Sequence, residues 1–190
     1  MKIGIIDCGG ANLNSIYYSF KRMNIKTHIS NSLYELKKMD AFILPGVGTA
    51  GVVMKKLKDN NLINLIQETT KPTLGICIGM QILFDYSEED NTNCLGIIEG
   101  VVKKLKPNKD IKVPQMGWNK VITNVDNIGG YYYFANSYYT DNDDYAVGHS
   151  YYGKKINSIV KKDNFLGCQF HPEKSSDIGE KFIKNFINLV

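Results

Sequence analysis

Gly75-Ile76-Cys77-Ile78-Gly79-Met80-Gln81 is the stretch whose reading decides the fold. The short apolar run Pro72 to Ile76 leads into a cysteine with a glycine two residues to either side. Beyond it, Met80, Ile82, Leu83 and Phe84 predict a helix packed on a core. This is the glycine-x-nucleophile-x-glycine pattern of a strand-to-helix turn. A nucleophile raised on a sharp turn needs neighbours with little side chain. The helix that follows aims free N–H groups and a positive dipole end at the sulfur, which favours thiolate over thiol. The competing reading is a core thiol, since free cysteine is among the most buried residue types.

The chain has 190 residues, 43% hydrophobic and 22% charged, which suits one globular domain over residues 1–190. The net charge of +4 comes from scattered lysines, densest at Lys103, Lys104, Lys106, Lys109 and Lys112. Such a cluster reads as a solvated face, so no nucleic-acid partner is expected. The first residues lack the apolar core and cleavage site of a signal peptide, and no apolar run is long enough to span a bilayer. Cys8, Cys77, Cys94 and Cys168 lack metal-ligand spacing, so neither a metal nor a cofactor is expected. Reduced thiols and the missing signal point to the cytoplasm.

Ile3 to Asp7 and Ala41 to Leu44 are apolar runs that suit buried strands of a parallel sheet. Leu13, Ile16, Tyr17 and Phe20 fall at helical spacing after a small-residue turn, with Asn12 or Asn14 as cap. Lys26 to Ile29 reads as a strand, Ser32 to Leu36 as a short helix and Val52 to Gln67 as a longer one. Pro45-Gly46-Val47-Gly48-Thr49-Ala50-Gly51 turns backbone amides toward a ligand, as an oxyanion hole requires, or is a plain glycine turn. Asp85 to Asn93 reads as a loop. After Leu95, short aromatic and β-branched runs separated by turn residues are strand signals. They include Val101-Val102, Lys120 to Ile122, Tyr131 to Phe134, Tyr145 to Val147, Ile156 to Val160 and Phe165 to Phe170. Ser175 to Asn188 predicts a final helix. The order argues for a single-domain α/β fold, a mostly parallel central sheet flanked by helices, with additional strands in the second half. The turns at residues 8–11, 45–51 and 77–79 lie at the carboxyl edge of that sheet, where ligands bind.

Phe170-His171-Pro172-Glu173-Lys174 supplies the second signal. Pro172 favours an extended conformation at His171 and ends the strand there, level with Cys77. In extended chain Glu173 points the same way as His171, so its carboxylate reaches the imidazole. Cys77, His171 and Glu173 then form nucleophile, base and orienter. His28 and His149 read as structural or surface histidines, and Cys94 and Cys168 as ordinary buried thiols.

The two motifs resemble those of class I, triad-type glutamine amidotransferases, whose fold is flavodoxin-like. Val113-Pro114 with Met116-Gly117-Trp118-Asn119, and Ser137-Tyr138-Tyr139, are similar to the glutaminase subunits of imidazole glycerol phosphate synthase. The resemblance runs nearly end to end. It implies that Cys77 attacks the glutamine side-chain amide to form a thioester, while His171 moves the proton and Glu173 orients His171. It implies an oxyanion site from Gly46, Val47, Gly48 and Thr49 with the N–H of Ile78. Gln81, Ser137 and Tyr138 would hold glutamine. Gln115, Trp118, Asn119 and Lys174 would meet a (β/α)8-barrel synthase subunit, making a heterodimer. That partner would use the ammonia to convert PRFAR into imidazole glycerol phosphate and AICAR, in histidine biosynthesis. Cys8 replaces a common tyrosine, and Ala50 a common aromatic residue. Gln115 and Asn136 replace histidines usual in these subunits, losing a titratable ring. A paralogous role, supplying ammonia for a sugar modification in surface-glycan or flagellar-sugar synthesis, therefore stays open. So does another cysteine hydrolase, although it would not account for Gln81 or Ser137-Tyr138-Tyr139.

Overall fold

The computed structural model describes residues 1–9, 13–46, 48–109 and 111–189. Its first half alternates strands and helices: β1 (Ile3–Ile6), α1 (Leu13–Arg22), β2 (Thr27–Ser30), α2 (Leu33–Leu36), β3 (Ala41–Leu44), α3 (Ala50–Asp59), α4 (Ile63–Glu68), β4 (Thr73–Ile76) and α5 (Ile78–Gln81). The second half is mostly strands: β5 (Phe84–Ser87), β6 (Thr92–Asn93), β7 (Ile98–Lys104), β8 (Gln115–Thr123), β9 (Gly130–Asn136), β10 (Tyr138–Tyr139), β11 (Ala146–Tyr151), β12 (Lys155–Lys162) and β13 (Phe165–Cys168), followed by α6 (Ser176–Ile187).

Nine strands form one mixed sheet in the order β2-β1-β3-β4-β13-β12-β11-β8-β9. The run from β2 to β13 is parallel. The added strands from β12 to β9 are antiparallel. A smaller sheet has the order β10-β7-β5-β6. Every residue of β1, β3, β4 and β13 is buried, as expected of strands covered on both faces. Ile16 and Phe20 of α1, and Phe182, Ile183 and Phe186 of α6, face the same core.

Three expectations are corrected. The helix expected over 52–67 is two helices, because Asn61 adopts φ +56° and breaks the ladder between α3 and α4. The helix expected from Met80 to Phe84 is the single turn α5, and Phe84 opens β5. The stretch 85–93 is not a plain loop. It contains most of β5, a 3-10 turn at Glu89–Asn91 and β6, with Ser87 fully buried. Asn12 and Val47 lie outside the described residues. Among the described residues no helix is long and apolar enough to cross a membrane.

Candidate active site

The glycines of the cysteine turn are there for close approach. A Cβ at Gly75 would lie 2.5 Å from the Gly79 carbonyl oxygen, and one at Gly79 would lie 1.8 Å from that of Leu44. Both neighbours are backbone, so no side-chain movement relieves the clash. Cys77 itself sits at φ +54°, ψ −110°, a conformation that a residue with a Cβ holds only when its surroundings impose it. The amides of Met80 and Gln81 both bond to the Cys77 carbonyl, closing the turn. With only one helical turn behind it, the sulfur gains less from a macrodipole than a full helix would provide.

β13 delivers the histidine. Cys168 pairs with Ile76 in the parallel β4–β13 ladder, and the Cys77 amide donates to the Cys168 carbonyl at 2.7 Å. The chain then passes through Phe170, which is fully buried. Its ring stacks on Tyr132 at 3.9 Å between centroids and meets Phe182 edge-on at 5.1 Å. His171 follows in an extended conformation (φ −101°, ψ 94°), as Pro172 requires. Its amide donates to Tyr133 O (2.9 Å), and its carbonyl accepts from Ser175 Oγ (2.6 Å). Backbone and core therefore fix the imidazole together.

His171 Nδ1 lies 2.8 Å from Glu173 Oε1. The expected contact is present, but its route differs. Residues Pro172–Lys174 form a 3-10 turn rather than extended chain, and the turn brings the carboxylate back to the ring. Burial penalises the imidazolium form of His171. Its hydrogen bonds to Cys77 and Glu173, and the charges of both, outweigh that penalty and push the pKa up to about 10. Burial pushes the thiols of Cys8 and Cys94 up to about 12 and that of Cys168 well above the ordinary range. Cys77 and His171 are only 5% and 7% exposed, so the pair lies in a largely closed place.

The other candidates divide. Gly46 presses on α5, where a Cβ would lie 2.3 Å from the Ile78 nitrogen. Gly48 is exposed at φ +100°. The Thr49 hydroxyl caps α3, accepting from Val52 N, and bonds to Asp90 Oδ2, while Ala50 N donates to Glu89 Oε2 (2.8 Å). Gln81 is buried and its Nε2 donates to Tyr138 O at 3.2 Å. Ser137 is half-buried and its carbonyl accepts from Leu105 N.

On β8 the expected partner-facing residues separate by strand alternation. Trp118 is exposed and meets Tyr133 edge-on at 6.4 Å, with Lys174 Nζ 5.9 Å from the centre of the Tyr133 ring. Asn119 points to the opposite face and donates to Tyr151 O. Gln115, also expected to face a partner, is buried instead, opposite Asn136. His28 bonds to Glu35, and His149 packs edge-on against Tyr151.

Sequence reasoning passed over two features. Gln169 is fully buried, with Nε2 3.7 Å from Cys77 Sγ. Its signal was an amide inside an apolar strand. Glu89 and Asp90 hold the end of the glycine loop, and their signal was the acidic run Glu88-Glu89-Asp90. No group of three or more metal-ligating side chains occurs among the described residues.

Cys77 on a strand-to-helix turn, with the carboxylate-bound His171 just beyond the end of the neighbouring parallel strand, is the arrangement that the sequence predicts. Residues 4–189 match the family described as glutamine amidotransferase class-I, and the chain belongs to that family. It is similar to the imidazole glycerol phosphate synthase subunit HisH 2 of Campylobacter jejuni (strain RM1221), 45% identical over 191 residues and covering 98% of each chain. It is also similar to the subunit HisH 2 of Legionella pneumophila (strain Lens), 42% identical with 98% of each chain covered. The subunit HisH of Haemophilus influenzae (strain ATCC 51907 / DSM 11121 / KW20 / Rd) is 40% identical, covering all of this chain and 98% of its own. A crystal structure titled as a glutamine amidotransferase shares the fold, with a TM-score of 0.79 at 17% identity over 98% of this chain and 97% of that one.

Proposed function

We propose that this chain is the glutaminase subunit of an imidazole glycerol phosphate synthase, acting as one domain over residues 1–190. Cys77 Sγ attacks the side-chain carbonyl carbon of glutamine, and the thiol proton passes to His171. The carbon–nitrogen bond breaks as His171 returns that proton to the departing nitrogen, releasing ammonia and leaving a glutamyl thioester. Water, deprotonated by His171, then attacks the thioester. Glutamate leaves and the thiol is restored. Glu173 holds the ring and its positive charge throughout. Backbone amides of the 46–49 loop and of Ile78 are the proposed donors to the oxyanion. Gln81, Ser137 and Tyr138 are the proposed glutamine contacts.

The observation that carries this reading is the 2.8 Å His171–Glu173 contact beside Cys77, with the imidazole pKa raised to about 10. Names of relatives at 40 to 45% identity support the choice of synthase. The exposed Trp118, beside Tyr133 and Lys174, is the proposed seat of a (β/α)8-barrel partner. Neutral ammonia, rather than ammonium, must reach that partner, so a water-excluding path between the two sites is part of the proposal. We place the protein in the cytoplasm, a reducing compartment that suits its free cysteines. The test is ammonia release from glutamine, with and without the histidine-pathway barrel and its substrate. The expected results are AICAR formation in the mixture and no ammonia from Cys77→Ala. Persistent absence of AICAR, with ammonia still released, would instead favour the sugar-modifying role. The observation behind that second reading is the buried Gln115–Asn136 pair, which changes the polar interior beside the site and leaves Trp118 and Lys174 in place.

A further inference from the structure

Gln169 stands between Cys168 and Phe170, and all three are fully buried. The β4–β13 register carries it to the level of Cys77. One backbone carbonyl dictates how the polar groups around it are arranged. Tyr138 O can only accept, and it takes N–H groups from Asn136 Nδ2 at 3.0 Å and Gln81 Nε2 at 3.2 Å. This settles which end of the Gln81 amide is nitrogen. The second N–H of the same nitrogen goes to Gln169 Oε1 at 2.9 Å. The Gln169 oxygen must then face Gln81, which turns its NH2 group to the sulfur of Cys77, 3.7 Å away.

Two consequences follow from this chain of bonds. Both N–H groups of Gln81 are used inside the protein, so its oxygen is the group left for a substrate. The Cys77 sulfur, which also bonds to the imidazole of His171 with Glu173 behind it, meets two further groups of opposite kind. Ala135 O, 3.8 Å away, can only take the thiol proton, whereas the Gln169 NH2 can only serve a sulfur lone pair. The carbonyl favours the thiol. The amide favours the charged sulfur that attacks, because a donor to an ionised acceptor binds more strongly than one to a neutral acceptor.

We propose that Gln169 is a positioning residue for glutamine cleavage: it holds the Cys77 sulfur with an N–H donor, and it commits Gln81 to meeting an N–H group of the substrate as an acceptor. The inference rests on the reading that Cys77 opens glutamine.

The experiment compares wild type with Gln169→Leu and with Gln169→Glu, which has nearly the shape of glutamine. The pH profile of Cys77 alkylation by iodoacetamide is followed by mass spectrometry of the Cys77 peptide, alongside kcat and KM for glutamine in the partner complex. Gln169→Leu is expected to move the alkylation profile upward by about one pH unit, the size of a lost charge-assisted hydrogen bond. It should also lower kcat and raise KM, since Gln81 is released. Gln169→Glu keeps an acceptor for Gln81 but presents an oxygen to the sulfur. Its profile should move at least as far, with KM nearer to wild type than in Gln169→Leu. If Gln169→Leu does not fold, Gln169→Glu carries the test alone. An alkylation profile unchanged in every variant that folds overturns the proposal. A shifted profile in a complex whose wild type releases no ammonia supports the hold on the sulfur and overturns only the reaction assigned to it.

Discussion

Gln115 and Asn136 face each other directly across the β8–β9 ladder, both buried, and neither side chain answers the other. Both polar atoms of the Gln115 amide and the Asn136 Oδ1 lack a hydrogen-bond partner among the described residues. A buried amide left in that condition costs about 1–3 kcal/mol. Gln115→Met, with nearly the same shape and no such groups, is expected to raise stability by roughly 1 kcal/mol. Thermal unfolding measures this, and a lowered Tm would mean that the pair is matched by solvent.

Cys77 is the first of the partners that raise the pKa of His171. Cys77→Ala removes it and leaves burial and Glu173 in opposition. The His171 midpoint, about 10 in wild type, is then expected to fall. With only three histidines in the chain, ring NMR resonances report it directly. The sign for stability follows. A folded pKa above the ordinary value of 6.5 contributes stability that is full below 6.5 and is lost as pH rises through about 10. The stability difference between wild type and His171→Gln should narrow over that interval.

Gly79→Ala places a methyl group 1.8 Å from a main-chain oxygen of β3. The turn and strand must separate, at a cost of about 3 kcal/mol by analogy with overpacked cores. Urea unfolding is expected to show a lower midpoint and an unchanged slope. A midpoint within error of wild type would mean that the turn is not held against β3.

Burial raises the pKa of Glu89, the acid that accepts from Ala50 N, and the nearby Asp90 charge adds to the rise. Its folded value therefore exceeds the ordinary 4.5, and stability falls as pH rises from 4.5 through that value. Glu89→Gln should equal wild type below pH 4.5 and exceed it at neutral pH. Thermal denaturation at both pH values tests the sign.

Apolar runs marked β1, β3 and β4 in the sequence because strands covered on both faces carry little else. His171 was legible for a local reason: Pro172 constrains its backbone. Glu173 was legible by spacing, although a 3-10 turn makes the contact. The break at Asn61 was not visible, because an asparagine with positive φ leaves the apolar pattern of Val53, Leu57 and Ile66 uninterrupted. Gln169 was missed because its role depends on the β4–β13 register and on Tyr138 O, each set by distant parts of the chain.

β13 lies between β4 and β12, at the place where parallel pairing gives way to antiparallel pairing. Cys77 and His171 stand on neighbouring strands although 94 positions separate them in sequence. Residues 165–171 must thread into the middle of the sheet before the two come together. Contacts of such long range form slowly. Until residues 165–171 take that place, Cys77 has neither His171 nor Gln169 beside it, so their arrangement is a property of the completed sheet.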